Sequence, residues 1–229
     1  MESPPSPSAV HYLPIATTVL SAIFAGILWR HRLRKGFGTH LSWWTAGLLT
    51  YGLGTGLEGA ITLWGNSVLL NKAWYMAGAL LGGYPLAQGT VYLLLPRRVA
   101  HRLTAATLPL LLGLFVLVLL SPVRLDALEP HRPGGGILAW SWLRAFTPLV
   151  NGYAALFLIG GAIWSARRYA RDPATRGLAW GNASIAFGAL LPGIGGGLAK
   201  AGVVEALYVG EFVGLLFIWL GYTLCVRSR

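Results

Sequence analysis

Hydrophobic runs alternate with short polar connections along the whole chain. Seven apolar stretches are each about long enough to cross a hydrocarbon core of ~30 Å, which takes about 20 helical residues. They predict helices at about 11–30, 41–64, 73–95, 103–122, 141–166, 177–199 and 203–226. The pattern predicts an all-α integral membrane protein with seven transmembrane helices, arranged as a single domain over residues 11–229.

Basic residues fall on every second connection between these stretches, which predicts the orientation in the membrane. The positive-inside rule places such connections in the cytoplasm, so the N-terminus is expected outside and the C-terminus in the cytoplasm. Residues 1–10 lack the basic region of a cleaved signal peptide and are expected to form a disordered outer tail. Thirteen of the 18 basic residues lie on the cytoplasmic connections: Arg30, Arg32, Arg34, Lys35, Arg97, Arg98, Arg102, Arg167, Arg168, Arg171, Arg176, Arg227 and Arg229.

The composition supports a membrane location and argues against nucleic-acid binding. Hydrophobic residues make up 55% of the chain and charged residues 11%, and the mean hydropathy is +0.61. A soluble domain carries about 25% charged residues. The net charge of +11 sits in short loops beside apolar stretches, where it suits anionic lipids of the cytoplasmic leaflet. We therefore expect a multi-pass protein of the cell membrane, with the lipid bilayer as partner and no nucleic acid.

The first three and last three stretches could form a parallel repeat around the fourth, a 3+1+3 plan. Parallel repeats occur in secondary transporters. Seven-helix sensory proteins can show the same duplication, and a tryptophan-rich chain also produces such matches by chance. The repeat therefore selects no function. It would pair Pro14 with Pro148, Trp29 with Trp164, Trp44 with Trp180 and Tyr92 with Tyr222.

Glycines at four-residue spacing predict close helix packing. Helices in lipid associate through small residues that let their backbones approach. Internal packing of the bundle is the simpler interpretation, and a homodimer face is the alternative. The pairs are Gly52 and Gly56, Gly78 and Gly82, and Gly193 and Gly197.

The sixth stretch contains a proline and four glycines in its outer half. Proline removes a backbone hydrogen bond and clashes with the preceding turn, and broken backbone at membrane depth needs protein or water around it. One interpretation is a discontinuous helix or hinge, and the other is a kink followed by a frayed end. The candidate gating residues are Pro192, Gly193 and Gly195.

Two carboxylates inside predicted spans are the strongest candidates for chemistry, because a charge in lipid is costly and commonly functional. At 1.5 Å per residue, Glu58 lies roughly 9 Å and Glu211 roughly 12 Å below the outer ends of their helices. They could bind a proton or a cation, or pair with Arg144; alternatively they only fix helix packing. We expect an outward-open ligand pocket formed by Glu58, Glu211, Tyr84, Gln88, Asn151 and Arg144.

Several enzyme classes find no support in the sequence. None of the five histidines lies in the middle of a predicted span, so no intramembrane metal triad is expected. No HExxH, GxSxG or phosphate-loop motif is present. Cys225 is the single cysteine, which leaves no intrachain disulfide. We expect that the protein is not an enzyme and binds no metal, and the sequence indicates no particular cofactor.

One part of the chain resembles a known family. The residues that carry the resemblance are Trp43-Trp44-Thr-Ala-Gly-Leu-Leu, Glu58, Lys72-Ala-Trp74-Tyr75-Met-Ala-Gly78 and Tyr84-Pro85. This region, about residues 43–101, is similar to the second and third helices of the seven-helix sensory membrane regions that precede bacterial histidine kinases. The resemblance implies a ligand-sensing bundle in a bacterial inner membrane and carries over only Glu58 and Pro85. Because no output domain follows the last stretch, a signal would pass through a partner protein.

Three functional hypotheses follow. The first is a small secondary transporter or carrier of a small molecule or cation, with the carboxylates forming its polar site. The second is a receptor-like sensor that binds a small ligand in the same pocket. The third is an accessory subunit of a membrane complex, in which the glycine-rich faces contact a partner membrane subunit or a second copy of the chain.

Overall fold

The fold of the described residues, 9–228 in this computed structural model, is all α-helical. A 3-10 turn, Ala9–Tyr12, replaces the end of the predicted tail and leads into the first helix; the rest of that tail lies outside the described residues. The elements are α1 (Leu13–Lys35), α2 (Thr39–Trp64), α3 (Val68–Trp74), a π-helical stretch (Tyr75–Leu81), α4 (Tyr84–Leu94), α5 (Arg97–Leu120), α6 (Phe146–Ala154), a second π-helical stretch (Ala155–Gly160), α7 (Gly161–Tyr169), α8 (Arg176–Lys200) and α9 (Glu205–Arg227).

Each of the seven predicted stretches falls on helix, and the third and fifth combine two α-helices through a π-helical stretch. The expectation of an all-α fold is therefore confirmed for the described part of the chain. Five segments are long and apolar enough to cross a membrane, which supports a membrane location, whereas a total of seven spans stays a prediction. These five are Ala9–Lys35, Arg97–Leu120, Ser141–Tyr169, Pro173–Lys200 and Glu205–Arg227.

The helices form a closed ring. Helix α1 packs on α2, α2 on α4, and α4 on α6 and the π-helical stretch that follows it. Helix α7 then packs on α8, α8 on α9, and α9 returns to α1. Helix α5 lies outside this ring and contacts it mainly through α4. The long fourth stretch is thus peripheral, and the ring is built from the chain segments on either side of it.

The closest helix contact in the ring joins α8 to α9 through glycines. Gly181, Gly188 and Gly195 recur every seven residues along α8, the spacing that keeps one seam facing a partner helix. A Cβ atom built on Gly188 would lie 2.5 Å from the carbonyl oxygen of Gly214 and 2.8 Å from the Cβ of Phe217. Any side chain there would force the two backbones apart.

The glycine pairs chosen from the sequence have different outcomes. A Cβ on Gly52 would lie 3.0 Å from the Cβ of Ser21, and one on Gly56 would lie 3.3 Å from Thr18 Oγ1, so internal packing is confirmed for this pair. The prediction is wrong for Gly193 and Gly197, which have no described neighbour within 4 Å of such an atom. They face away from α9.

The pair Gly78 and Gly82 serves the junction between α3 and α4. A Cβ on Gly78 would lie 3.3 Å from Trp74 Nε1 and 3.7 Å from the Cα of Gly54. Gly82 has φ 38°, a left-handed conformation that side chains rarely adopt, and it follows the π-helical stretch. Gly82 lets the chain turn between α3 and α4, and Gly78 allows α2 to pack close to this junction.

Helix α8 continues without interruption through the proline and glycine segment. Pro192 lies inside the helix, which ends only at Lys200, and its ring packs near Gly214 of α9. The interpretation of a discontinuous helix is therefore wrong. Gly195 packs against Ala206 of α9, while Gly193 faces open space. A gating role for Pro192, Gly193 and Gly195 stays a prediction.

The long loop between α5 and the turn before α6, residues 123–140, is held against the ends of the helices by polar side chains. The amide of Asn71 donates to the carbonyl of Gly134 at 2.7 Å, and the Gly134 N–H donates back to Asn71 Oδ1 at 3.0 Å. Arg132 donates to the carbonyl of Ala199 at the end of α8, at 2.9 Å. The loop therefore covers one end of the ring.

The buried amine of Lys72 attaches α5 to the rest of the molecule. Its Nζ donates to the carbonyls of Leu119 and Ser121, each at 2.8 Å. These carbonyls belong to the C-terminal end of α5, where a cation is favoured by the helix dipole. Lys72 thus caps the peripheral helix.

The internal repeat is only partly reflected in the surroundings of its landmarks. Trp29 and Trp164 each carry an arginine of the following turn over the ring, at 4.7 and 5.5 Å. Trp44, however, donates to a backbone carbonyl of α4, whereas Trp180 is 71% exposed. The 3+1+3 plan stays a prediction.

Substituting Gly188 by alanine should destabilise the protein by about 1–3 kcal/mol, because the added methyl group overpacks the contact with Gly214. Gly197→Ala, in the same helix but in open space, should leave stability unchanged or raise it by up to about 1 kcal/mol through helix propensity. Thermal unfolding of the purified variants in detergent measures both. Equal melting temperatures for the two variants would contradict the assigned contact.

Candidate functional site

A cavity of about 290 Å³ lies in the centre of the ring. Its wall is largely apolar, because six segments of the ring turn a large hydrophobic side chain toward the centre. These side chains are Phe24 of α1, Leu48 of α2, Leu86 of α4, Leu158 of the second π-helical stretch, Ile185 of α8 and Ile218 of α9. The ring therefore encloses a space that its side chains do not fill.

The cavity extends to the helix ends that carry the basic clusters. Lys35 of α1, His40 of α2 and Arg168 of α7 line this end. His31 Nδ1 is hydrogen-bonded to the Tyr222 hydroxyl, which joins α1 to α9 at the cavity wall. No acidic residue is among the described residues that line the cavity. The cavity thus combines an apolar interior with a cationic mouth.

Glu58 and Glu211 meet at a different level of the bundle. The carboxyl groups of Glu58, from α2, and Glu211, from α9, lie within hydrogen-bonding reach of each other. Glu58 is 3% exposed. Glu211 Oε2 is buried and receives no hydrogen bond from an amide, hydroxyl or cationic group in the described part of the chain. The structure therefore brings together the two carboxylates that the sequence singled out.

Hydroxyl groups on either side of the carboxyl pair also link α2 to α9. One turn from Glu58, the Thr62 hydroxyl lies 3.0 Å from the hydroxyl of Tyr208. On the other side, the Tyr51 hydroxyl donates to the backbone carbonyl of Glu211 at 3.0 Å. These bonds fix the two helices in register at the depth where the carboxyl groups meet.

An apolar layer separates the carboxyl pair from the cavity. Phe24, Leu48 and Leu215 pack in one cluster and are each 1–2% exposed. Leu215 lies one turn along α9 from Glu211. The cavity-lining Ile218 lies seven residues from Glu211, roughly 10 Å at 1.5 Å per residue. The carboxyl pair and the cavity with its cationic mouth thus lie on opposite sides of a thin hydrophobic layer.

Tyr84 and Gln88 lie on another side of the ring, where α4 meets α5 and α6. Gln88 is fully buried; its Nε2 donates to Thr104 Oγ1 at 2.7 Å, and its Oε1 accepts from the Tyr153 hydroxyl at 2.6 Å. The Tyr84 hydroxyl hydrogen-bonds Thr107 at 2.7 Å. Both side chains therefore attach α5 to the ring and do not contact the carboxyl pair.

Asn151 and Arg144 are also separate from the carboxyl pair. Asn151 is exposed on α6 and donates to the carbonyl of Ala79 at 3.3 Å. Arg144 is exposed in the 3-10 turn before α6 and pairs with neither glutamate. The expectation that all six residues surround one pocket is wrong, because Glu58 and Glu211 meet between α2 and α9, whereas Tyr84, Gln88 and Asn151 bond to α5, α6 and the first π-helical stretch. A ligand-binding role for each residue stays a prediction.

The ion pair in the described part of the chain lies in the long loop. Arg124 donates to the carboxylate of Asp126 at 3.0 Å and holds the pKa of that carboxyl below its ordinary value. Both side chains are largely exposed, so the pair contributes little to stability. Within residues 9–228, no group of three His, Cys, Asp or Glu residues is placed to hold a metal ion.

Sequence reasoning missed the cavity at the basic end. It assigned Lys35 and Arg168 to the positive-inside pattern and Trp44 to the repeat and the family resemblance, and it gave no role to His31 or His40. The available signal was that aromatic, imidazole and cationic side chains recur near the same ends of several helices. That recurrence predicts a polar mouth only if the helices form a ring, which the sequence does not reveal.

No protein-family model, curated protein or solved structure matches the chain. The resemblance to bacterial sensory membrane regions therefore stays a prediction. What the fold and site define is an all-α protein with several helices of membrane-spanning length, a central cavity and a buried carboxyl pair.

Replacing Gln88 by leucine should destabilise the protein by about 1–3 kcal/mol, because it leaves the Tyr153 hydroxyl without its acceptor. Adding Tyr153→Phe should recover part of that loss. Asn151→Ala, which removes an exposed 3.3 Å bond, should change the melting temperature little. Thermal unfolding in one detergent compares all four proteins; a Gln88→Leu variant as stable as the native chain would refute the structural role.

Proposed function

We propose that this protein is a small multi-pass carrier of the cell membrane, with seven spans, an outer N-terminus and a cytoplasmic C-terminus. In this proposal Glu58 and Glu211 bind a proton or a cation, and the central cavity holds a small molecule. The observation that carries the proposal is the contact between two carboxyl groups inside a helical bundle. The basic clusters support the orientation, and a bacterial inner membrane is the proposed location.

The chemistry of the pair suits reversible binding of a positive charge. A hydrogen bond between two carboxyl groups requires a proton on one of them, and two neighbouring negative charges repel each other strongly at low dielectric. A proton or a cation removes that repulsion, and its release restores it. The contact between α2 and α9 therefore depends on what the pair binds.

The apolar layer between the pair and the cavity supports a carrier with access from one side at a time. Phe24, Leu48 and Leu215 block a continuous polar path between the two regions. A movement of α9 relative to α2 would change both the carboxyl contact and this layer, since Leu215 lies one turn from Glu211. Binding at the pair is thereby linked to access to the cavity.

A ligand-sensing module is the second candidate, and the unbroken α8 is the observation that favours it. Carriers commonly build their sites from discontinuous helices, whereas α8 runs as one helix from Arg176 to Lys200. In a sensor, the same cavity would bind a ligand and the movement of α9 would be transmitted to a partner protein. Such a module would bind its ligand without moving it across the membrane.

The shared proton should be visible by infrared spectroscopy. We expect the spectrum of the native protein to contain the C=O stretching band of a protonated carboxyl group. Glu58→Gln and Glu211→Gln should each shift or remove that band, because either change replaces the carboxyl partner of the protonated group. Glu205→Gln should keep it, since Glu205 is exposed at the start of α9. A band unchanged in all three variants would show that the pair holds no proton.

Transport coupled to the pair should be measurable in liposomes that contain the protein and a pH-sensitive dye. On addition of a panel of organic acids, amines and metal cations, at least one compound should change the internal pH only when the protein is present. Glu58→Gln and Glu211→Gln should reduce the rate to that of protein-free liposomes, and Glu205→Gln should not.

Three outcomes would oppose the carrier proposal or its assigned coupling site. Full activity in both glutamine variants would eliminate the carboxyl pair as the coupling site. Binding of a panel compound without any movement across the membrane would favour the sensor. Purification in fixed stoichiometry with a larger assembly would instead favour an accessory subunit.

A further inference from the structure

We propose that the central cavity binds a small amphiphilic anion: a carboxylate, sulfonate or phosphate group on an aromatic or branched apolar body. This inference rests on the proposed function and names the substrate class of its cavity. It follows from the distribution of charge, the nature of the wall and the size of the enclosed space.

The charge at the cavity mouth is positive and uncompensated. Lys35 and Arg168 line it from α1 and α7, on different sides of the ring. Of the acidic residues that the structure describes, Asp172 belongs to the connection at this end. Its carboxylate accepts from the Ala174 N–H at 2.9 Å and caps a 3-10 turn, and it does not line the cavity. An anion at the mouth would therefore meet two cations and no carboxylate.

Position separates these two cations from the other basic residues at this end. A basic cluster beside a membrane span serves orientation and contact with anionic lipids whatever the protein does. Lys35, Arg167 and Arg168 are all exposed, but Arg167 lies outside the cavity lining. Lys35 and Arg168 border the cavity, so an anion whose apolar body lies inside it comes close to both charges.

The interior of the cavity suits a compact apolar body. Its wall carries aliphatic side chains from α1, α2, α4, the second π-helical stretch, α8 and α9, together with the aromatic rings of Phe24, Trp44 and Tyr222. Its volume, about 290 Å³, is at the lower end of the range of ligand pockets, about 300–1,000 Å³. A body with one aromatic ring or a short branched chain fits, whereas both chains of a phospholipid do not.

A groove between α1 and α9 adjoins the cavity, so an anion could reach the cavity by two routes. This groove contains Arg30, Arg34 and Arg227 and shares His31 and Tyr222 with the cavity wall. A single-chain anionic lipid could enter from the bilayer along the groove, and a free organic anion could enter from the aqueous side through the mouth. Both present the same chemistry to Lys35 and Arg168.

Binding can be measured by fluorine NMR with para-trifluoromethylbenzoate, using the full-length protein in nanodiscs of zwitterionic phosphatidylcholine. We expect saturable binding of this probe and none of its neutral amide. Arg168→Gln and Lys35→Gln should each weaken binding about tenfold, the effect of losing one charged partner. Arg167→Gln should leave the affinity unchanged, and Arg168→Lys, which keeps the charge, should retain most of it.

The cavity itself is tested by Leu158→Trp, which should abolish binding by filling the interior. Unfolding curves identify any variant that fails to fold, and Arg168→Lys and Arg167→Gln provide the comparison in that case. Equal binding of benzoate and amide would overturn the proposal. An equal loss in Arg167→Gln and Arg168→Gln would also overturn it, because the probe would then respond to surface charge alone.

Two further arms separate the sources and the hypotheses. If anionic phosphatidylglycerol in the nanodiscs weakens probe binding to the native protein but not to Arg168→Gln, the competing anion is a lipid; if it has no effect, the anion is a free molecule. If the native protein shows pH-coupled transport but does not bind the probe, the anion proposal is refuted and the carrier proposal stands. If the native protein binds the probe but shows no coupled transport, the carrier proposal is refuted.

Discussion

The close approach of helix backbones through glycine is the constraint on which the rest of this structure depends. In lipid, apolar side chains gain little by leaving one hydrophobic environment for another, so contact area at short range must hold the helices together. Glycine makes that range short between α8 and α9, and between α1 and α2. Glycines also bring α2 close to α4, at Gly47 and Gly89. Short backbone contacts thus join α1, α2 and α4 on one side and α8 and α9 on the other, and residues of both groups line the cavity.

The polar groups are sorted by the same architecture into three regions with different tasks. Tyr84 and Gln88 of α4 hydrogen-bond Thr107 and Thr104 of α5, and these bonds hold the two helices together. The carboxyl pair lies where α2 and α9 approach beside α1, and it is the region that we propose binds a positive charge. The cationic mouth lies beyond the apolar layer formed by Phe24, Leu48 and Leu215. The side chains that hold helices together are thus spatially separate from the two regions to which we assign binding.

The positions of the helices and the burial of the two glutamates could be predicted, because hydropathy acts along one segment at a time and both residues lie inside apolar stretches. The partners of Tyr84, Gln88, Asn151 and Arg144 could not, since they depend on which helices are neighbours in the ring. Pro192 was misleading for a related reason: a proline predicts a local break, but α8 is held straight enough by its packing on α9 to continue to Lys200. Lys72 lies at the edge of an apolar stretch, and nothing local indicated that its amine reaches the end of α5.

Closure of the ring by α1 and α9 has a consequence for the order in which the molecule is made. The hydrogen bond between His31 and Tyr222 joins residues 191 positions apart, and contacts of such long separation form late because a large loop must close first. During synthesis, Glu58 is present long before Glu211, the residue that completes its carboxyl pair. The nascent chain therefore carries an unpaired acid until its last helix arrives. The arrival of α9 completes the cavity, the barrier and the pair in one step of assembly.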